Sequence, residues 1–146
     1  MYRVMLVDDE PLILAGIASM LCWEDHDCRI VGKATNGQQA LEKMEELRPD
    51  LVITDIKMPA MDGLELMRQA RERGYAAKFI LLTNLEEFSL AREALSLGAM
   101  EYLVKLEMNE ETLAKTLDSV IERCRRLHAF SQNEGRARAG GSAEDR

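Results

Sequence analysis

The sequence predicts an α/β fold in which helices cover both faces of a doubly wound, five-stranded parallel sheet. Three observations predict it. Five short apolar runs alternate with five longer stretches of helical periodicity. The central run, Leu51-Val52-Ile53-Thr54, is apolar on both faces, as a buried parallel strand requires. A chain of 146 residues that is 47% hydrophobic has room for one domain with a core, and little else.

Each element has its own signal. Arg3 to Val7 reads as the first strand, and a helix follows from about Pro11 to Cys22, with Leu14, Ile17 and Leu21 on one face and Pro11 tolerated in its first turn. Arg29 to Ala34 reads as the second strand. Asn36-Gly37 then opens a helix carrying Leu41, Met44 and Leu47. After the third strand, Pro59 and Asp62-Gly63 mark a loop before a helix with Leu64 and Met67 facing inward. Lys78 to Leu82 is strand four; its helix places Phe88, Ala91 and Leu95 inward and ends at Gly98, a fitting C-cap. Tyr102 to Val104 is strand five. Leu113, Leu117, Val120, Ile121 and Cys124 give the last helix the cleanest apolar stripe in the chain. Right-handed crossovers leave few arrangements for five such units, and the flavodoxin-like order 2-1-3-4-5 is the small-domain solution.

Composition excludes several function classes. A formal net charge of −7 with no basic stripe argues against a nucleic-acid or membrane-surface binder. Cys22, Cys28 and Cys124 form no CxxC pair, so neither a disulfide framework nor a zinc ribbon is expected, and reduced thiols fit a cytoplasmic protein. His26 and His128 lack metal-ligand spacing and read as surface residues. From about Ser131 the composition turns to Gly, Ala, Arg and acids without apolar spacing. The domain is therefore expected over 1–128, with 129–146 a disordered tail.

In a sheet of this kind, chemistry sits at the carboxyl ends of the strands. Strand one ends in Asp8-Asp9-Glu10, strand three in Asp55, strand four in Thr83 and strand five in Lys105. Clustered carboxylates with oxygen-only partners suit Mg²⁺, which leaves positions for phosphoryl oxygens. A carboxylate attacks phosphorus to give an acyl phosphate, and a lysine beside it neutralises the transferred oxygens. Thr83 supplies a hydroxyl donor. Read singly, Asp8 and Asp9 could cap a helix, Asp55 could be a turn residue and Tyr102 a plain core aromatic; the convergence of the strand ends favours chemistry.

The motifs V-D-D-E at 7–10, D-x-x-M-P-x-x-D-G at 55–63, L-L-T at 81–83 and Y-L-V-K at 102–105 resemble the receiver domain of two-component response regulators. The resemblance covers Met1 to about Leu127. It implies that Asp55 is the phosphoacceptor, charged from a phosphohistidine on a partner sensor histidine kinase. It further implies that Asp9 and Asp55 bind Mg²⁺ directly, Asp8 through water and Lys57 through its main-chain carbonyl. Lys105 would bind the phosphoryl group, and Thr83 and Tyr102 would form the switch pair. Such a domain is no enzyme beyond assisting its own phosphoryl transfer and slow dephosphorylation. Trp23-Glu24 and Leu85-Glu86-Glu87-Phe88 resemble the subgroup usually fused to an AraC-type helix-turn-helix. The chain then reads as a receiver fragment of a transcription regulator, with a stand-alone receiver as the alternative, touching DNA only through an absent C-terminal domain, not a membrane, and open to homodimerisation on phosphorylation.

Two positions depart from the family pattern. Asn84 stands where Ala or Gly usually follows the threonine, and Leu106 stands where a cis proline usually follows the lysine. A cis bond before a non-proline residue costs about 2.5–4 kcal/mol, so Lys105–Leu106 is expected to be trans, with a reshaped loop. Leu85 is expected to lie over the site and slow hydrolysis. Two other readings compete: a degenerate receiver acting by phosphorylation-independent contacts, and an aspartate-nucleophile phosphohydrolase. The second wants an acid two residues after the nucleophile, where this chain has Lys57.

Overall fold

The computed structural model describes residues 1–137, with side chains described through Leu127. Five strands, β1 (Tyr2–Val7), β2 (Cys28–Ala34), β3 (Leu51–Asp55), β4 (Lys78–Thr83) and β5 (Glu101–Val104), form one sheet. Its order is β2-β1-β3-β4-β5 and every pairing is parallel, as expected. The helices are α1 (Pro11–Ala18), α2 (Gly37–Leu47), α3 (Gly63–Glu72), α4 (Phe88–Ser96) and α5 (Glu110–Ala137).

Side chains alternate across each strand, so the sheet builds two cores. Val4, Leu6, Leu51, Ile53, Ile80 and Leu82 pack against α1 and α5, where Leu14, Ile17, Leu113, Leu117 and Val120 close the layer. Met5, Val7, Val52, Phe79 and Leu81 face the opposite way, onto α2, α3 and α4. All five β3 residues are buried, as the doubly apolar run demands. This alternation also positions the site. Asp55 continues the row of Leu51 and Ile53, on the α1/α5 side. Thr83 continues the row of Phe79 and Leu81, on the α4 side.

Several local expectations change. Helix α1 stops at Ala18, four residues before Cys22. The Trp23 indole N–H donates to the Ala18 carbonyl at 3.0 Å, satisfying an oxygen that a longer helix would have bonded internally. A 3-10 turn over Trp23–His26 follows, yet Leu21 stays buried, so the apolar period outlasts the helix. On α3, Leu66 takes the inward place beside Met67, and Leu64 is only half-buried. On α4, Ala91 and Ala94 are buried, whereas Phe88 is 42% exposed. His26 is partnered: its Nδ1 lies 2.8 Å from Asp118 Oδ1. The His128 side chain lies outside the described residues.

Helix α5 runs on to Ala137, through 129–137 where a disordered tail was expected. A helix closes its own backbone hydrogen bonds, so it can extend beyond the apolar stripe that anchors it. The remaining residues of the expected tail, 138–146, lie outside the described residues. Cys22, Cys28 and Cys124 are all free. No described helix is long and apolar enough to cross a membrane.

Candidate functional site

Parallel pairing carries the ends of four strands to one edge of the sheet. In register, Val7 sits beside Thr54, Asp55 beside Leu82 and Thr83 beside Val104. Asp8 and Lys105, each one residue past its strand, therefore flank Asp55. Asp8 is fully buried and Asp55 is 4% exposed. Lys105 Nζ lies 3.0 Å from Asp8 Oδ2 and 3.1 Å from Asp55 Oδ2. The exposed Asp9 completes an acidic cluster in which Asp8, Asp9 and Asp55 each offer an oxygen within 4.8 Å of the others. Helix capping by these aspartates is not what forms: Glu10 is the N-cap of α1, and Asp8 Oδ1 accepts from the Glu10 N–H at 2.9 Å.

Burial is the main reason that Asp55 is pushed up to about 6; Asp8 adds to the shift and Lys105 opposes it. Burial pulls Lys105 down, but the nearby carboxylates of Asp8 and Asp55 outweigh it and the net shift is upward. Asp8 Oδ2 has no well-directed hydrogen-bond donor; the ammonium is its ion-pair partner. A buried carboxylate oxygen satisfied by charge alone, next to two more carboxylates, is a donor set that fits a small hard cation.

The loop after Asp55 is shaped by one close approach. A Cβ on Gly63 would lie 2.5 Å from the Asp55 carbonyl oxygen, so no side chain fits there. Asp62 caps α3 by accepting from the Glu65 N–H at 2.8 Å. The Asp62-Gly63 pair thus fixes the start of α3 against the Asp55 backbone.

Above the carboxylates is a cavity of about 470 Å³ lined by Asp9, Asp55, Lys57, Asn84, Glu87 and Lys105, among others. Leu106 also lines it, and the described residues contain no cis peptide bond, so Lys105–Leu106 is trans as expected. Leu85 does not form its wall. It is 61% exposed, and Asn84 and Glu87 are what the 3-10 turn over Leu85–Glu87 turns inward. Thr83 is fully buried, its hydroxyl donating to the Asn84 carbonyl at 2.9 Å. Tyr102 is half-buried on the same sheet face and meets Phe88 edge-on, centroids 5.6 Å apart.

Glu87 is the residue that sequence reasoning missed. It is 7% exposed, and its Oε1 accepts from the Asn84 N–H at 3.4 Å. The signal was available: Asn84 with Glu87 three residues on is capping-box spacing, which orients an acid back onto the turn.

Fold and site together define a class of protein, a doubly wound domain presenting a buried aspartate, a cluster of three carboxylates and a lysine at one edge. A family model described as the response regulator receiver domain matches residues 4–118, and the chain belongs to that family. The transcriptional regulatory protein YesN of Bacillus subtilis is 40% identical over 126 residues, which is 86% of this chain and 34% of that protein. The nitrate/nitrite response regulator protein NarL of Escherichia coli is 36% identical, covering 78% of this chain and 52% of that protein. The chain thus spans about a third to a half of these curated relatives. Among solved structures, the receiver domain of AraT from Geobacillus stearothermophilus superimposes with a TM-score of 0.80 at 34% identity, covering 87% of this chain and 98% of that one. The chemotaxis response regulator CheY4 of Vibrio cholerae gives 0.70 at 32% identity, covering 82% and 98%.

Proposed function

We propose that the protein is a phosphorylation-dependent signalling switch that accepts a phosphoryl group on Asp55 from a sensor histidine kinase. The observation that carries this reading is the Lys105 ammonium set between Asp8 and Asp55, beside Asp9. Asp55 forms a P–O bond while the P–N bond of a phosphohistidine breaks, the electron pair leaving on the imidazole nitrogen. Lys105, already 3.1 Å from the acceptor carboxylate, follows the charge onto the phosphoryl oxygens. Asp8, Asp9, Asp55 and the main-chain carbonyl of Lys57 would hold Mg²⁺, which when bound supplies neutralisation of phosphoryl charge.

Thr83 and Tyr102 form the switch in this reading. The Thr83 hydroxyl gives up the Asn84 carbonyl to donate to a phosphoryl oxygen, and the Tyr102 ring, edge-on to Phe88 at rest, turns inward behind it. The output in this reading is transcription regulation through a DNA-binding domain, of AraC type by the subgroup resemblance; the likeness to YesN, a transcriptional regulatory protein, supports the transcriptional role. The protein works in the cytoplasm and dimerises when phosphorylated.

Beryllofluoride, an acyl-phosphate analogue, is expected to bind with Mg²⁺ and shift the amide resonances of Thr83 and Tyr102, and Asp55→Ala to abolish both effects. Unshifted resonances in the wild type would refute the reading. Asn84 and Leu106, both on the cavity wall, favour the second reading of a receiver acting by contact alone. Failure of Asp55 to accept phosphate from any donor would promote it.

A further inference from the structure

Glu87 has no part in the switch just described, yet it is a nearly buried acid in the wall of the phosphoryl cavity. Its environment fixes it there. The Asn84 N–H donates to Glu87 Oε1, and the Glu87 N–H donates in return to the Asn84 carbonyl at 3.0 Å. That same carbonyl accepts the Thr83 hydroxyl. Phe88, the next residue, begins α4 and meets Tyr102. A solvated glutamate would swing away from incoming negative charge; this one is tied at its backbone and at its carboxylate.

The charge balance gives that carboxylate a consequence. Asp9, Glu10, Asp55 and Glu87 line the cavity against Lys57 and Lys105, so the wall is already net negative without the buried Asp8. Loading Asp55 replaces a monoanionic carboxylate with a phosphoryl group of about −2 charge. A held carboxylate in a partly desolvated cavity opposes that increase and attracts a divalent cation.

Resting on the reading of Asp55 as phosphoacceptor, we infer that Glu87 is a positioning residue that sets the electrostatic threshold of the site, restraining phosphoryl loading while strengthening Mg²⁺ binding. The restraint is by charge, not by the turn that Glu87 caps. Loading from acetyl phosphate forms the Asp55 P–O bond and breaks the phosphorus–acyl oxygen bond, acetate leaving with the electron pair.

The test compares wild type, Glu87→Gln and Glu87→Ala by rate of loading from acetyl phosphate and, without donor, by the midpoint of a Mg²⁺ thermal-shift titration. Gln keeps an acceptor for the Asn84 N–H and removes the charge; Ala removes both. Both variants are expected to load roughly three- to tenfold faster at saturating Mg²⁺ and to need more Mg²⁺, with the gap narrowing in high salt. If Gln behaves as wild type while Ala differs, Glu87 is only a cap and the inference is overturned. If both load at the wild-type rate, it also falls. A wild type that loads normally leaves the acceptor reading standing in either case, whereas a wild type that never loads removes both.

Discussion

Lys105 Nζ bridges Asp8 Oδ2 at 3.0 Å and Asp55 Oδ2 at 3.1 Å, so one ammonium holds two buried carboxylates together. Removing it leaves two like charges desolvated at close range. Taking one partner from a buried ionic set costs about 3–5 kcal/mol. Lys105→Met is expected to lose stability of that order in urea unfolding at neutral pH with chelator present, and to recover part of it when Mg²⁺ is added.

The raised Asp55 makes a pH prediction. Its carboxyl titrates at about 6 in the fold against an ordinary value of 3.8, so between those values the folded state binds more protons than the unfolded one. Stability from this group is therefore greatest below about pH 4 and falls as pH rises through 6. Asp55→Asn removes the penalty, offset in part because Lys105 loses a partner. In metal-free buffer the variant should be about 1–3 kcal/mol more stable than wild type at pH 7.5, the gap closing near pH 4. Equal stabilities at pH 7.5 would contradict the account.

Gly63 admits no side chain. A Cβ would meet the Asp55 carbonyl oxygen at 2.5 Å and the Ile56 Cα at 3.1 Å, both backbone atoms that cannot swing aside. Gly63→Ala is expected to cost about 1–3 kcal/mol in chemical denaturation and to weaken Mg²⁺ binding by shifting Asp55.

Trp23 acts as the stop of α1. Trp23→Phe keeps most of the buried ring but strips the donor from the Ala18 carbonyl, at an expected cost of about 0.5–2 kcal/mol. Hydrogen exchange should show faster opening of the last turn of α1, with α2 and α3 unchanged.

The strand ends were legible because two simple rules act together. Parallel pairing brings the ends of β1, β3, β4 and β5 to one edge, and alternation puts Asp55 and Thr83 on opposite sheet faces. The α1 boundary was not legible, since Leu21 remains buried after the helix ends and periodicity cannot register the change of backbone. Phe88 kept the helical spacing of a core residue, but at the first position of α4 it lies at the rim, against Tyr102. Glu87 entered the sequence reading only within a subgroup motif; its burial follows from the turn that Asn84 closes. The Leu85 expectation failed for the same reason, because that turn points Leu85 outward.

Mass spectrometry of the protein incubated with acetyl phosphate and Mg²⁺, with peptide mapping of any modified residue, tests the central claim most directly. The account predicts a single added phosphoryl group located on Asp55, absent from Asp55→Asn and strongly reduced in Lys105→Met. An unmodified protein, or a phosphoryl group on any other residue, would contradict it.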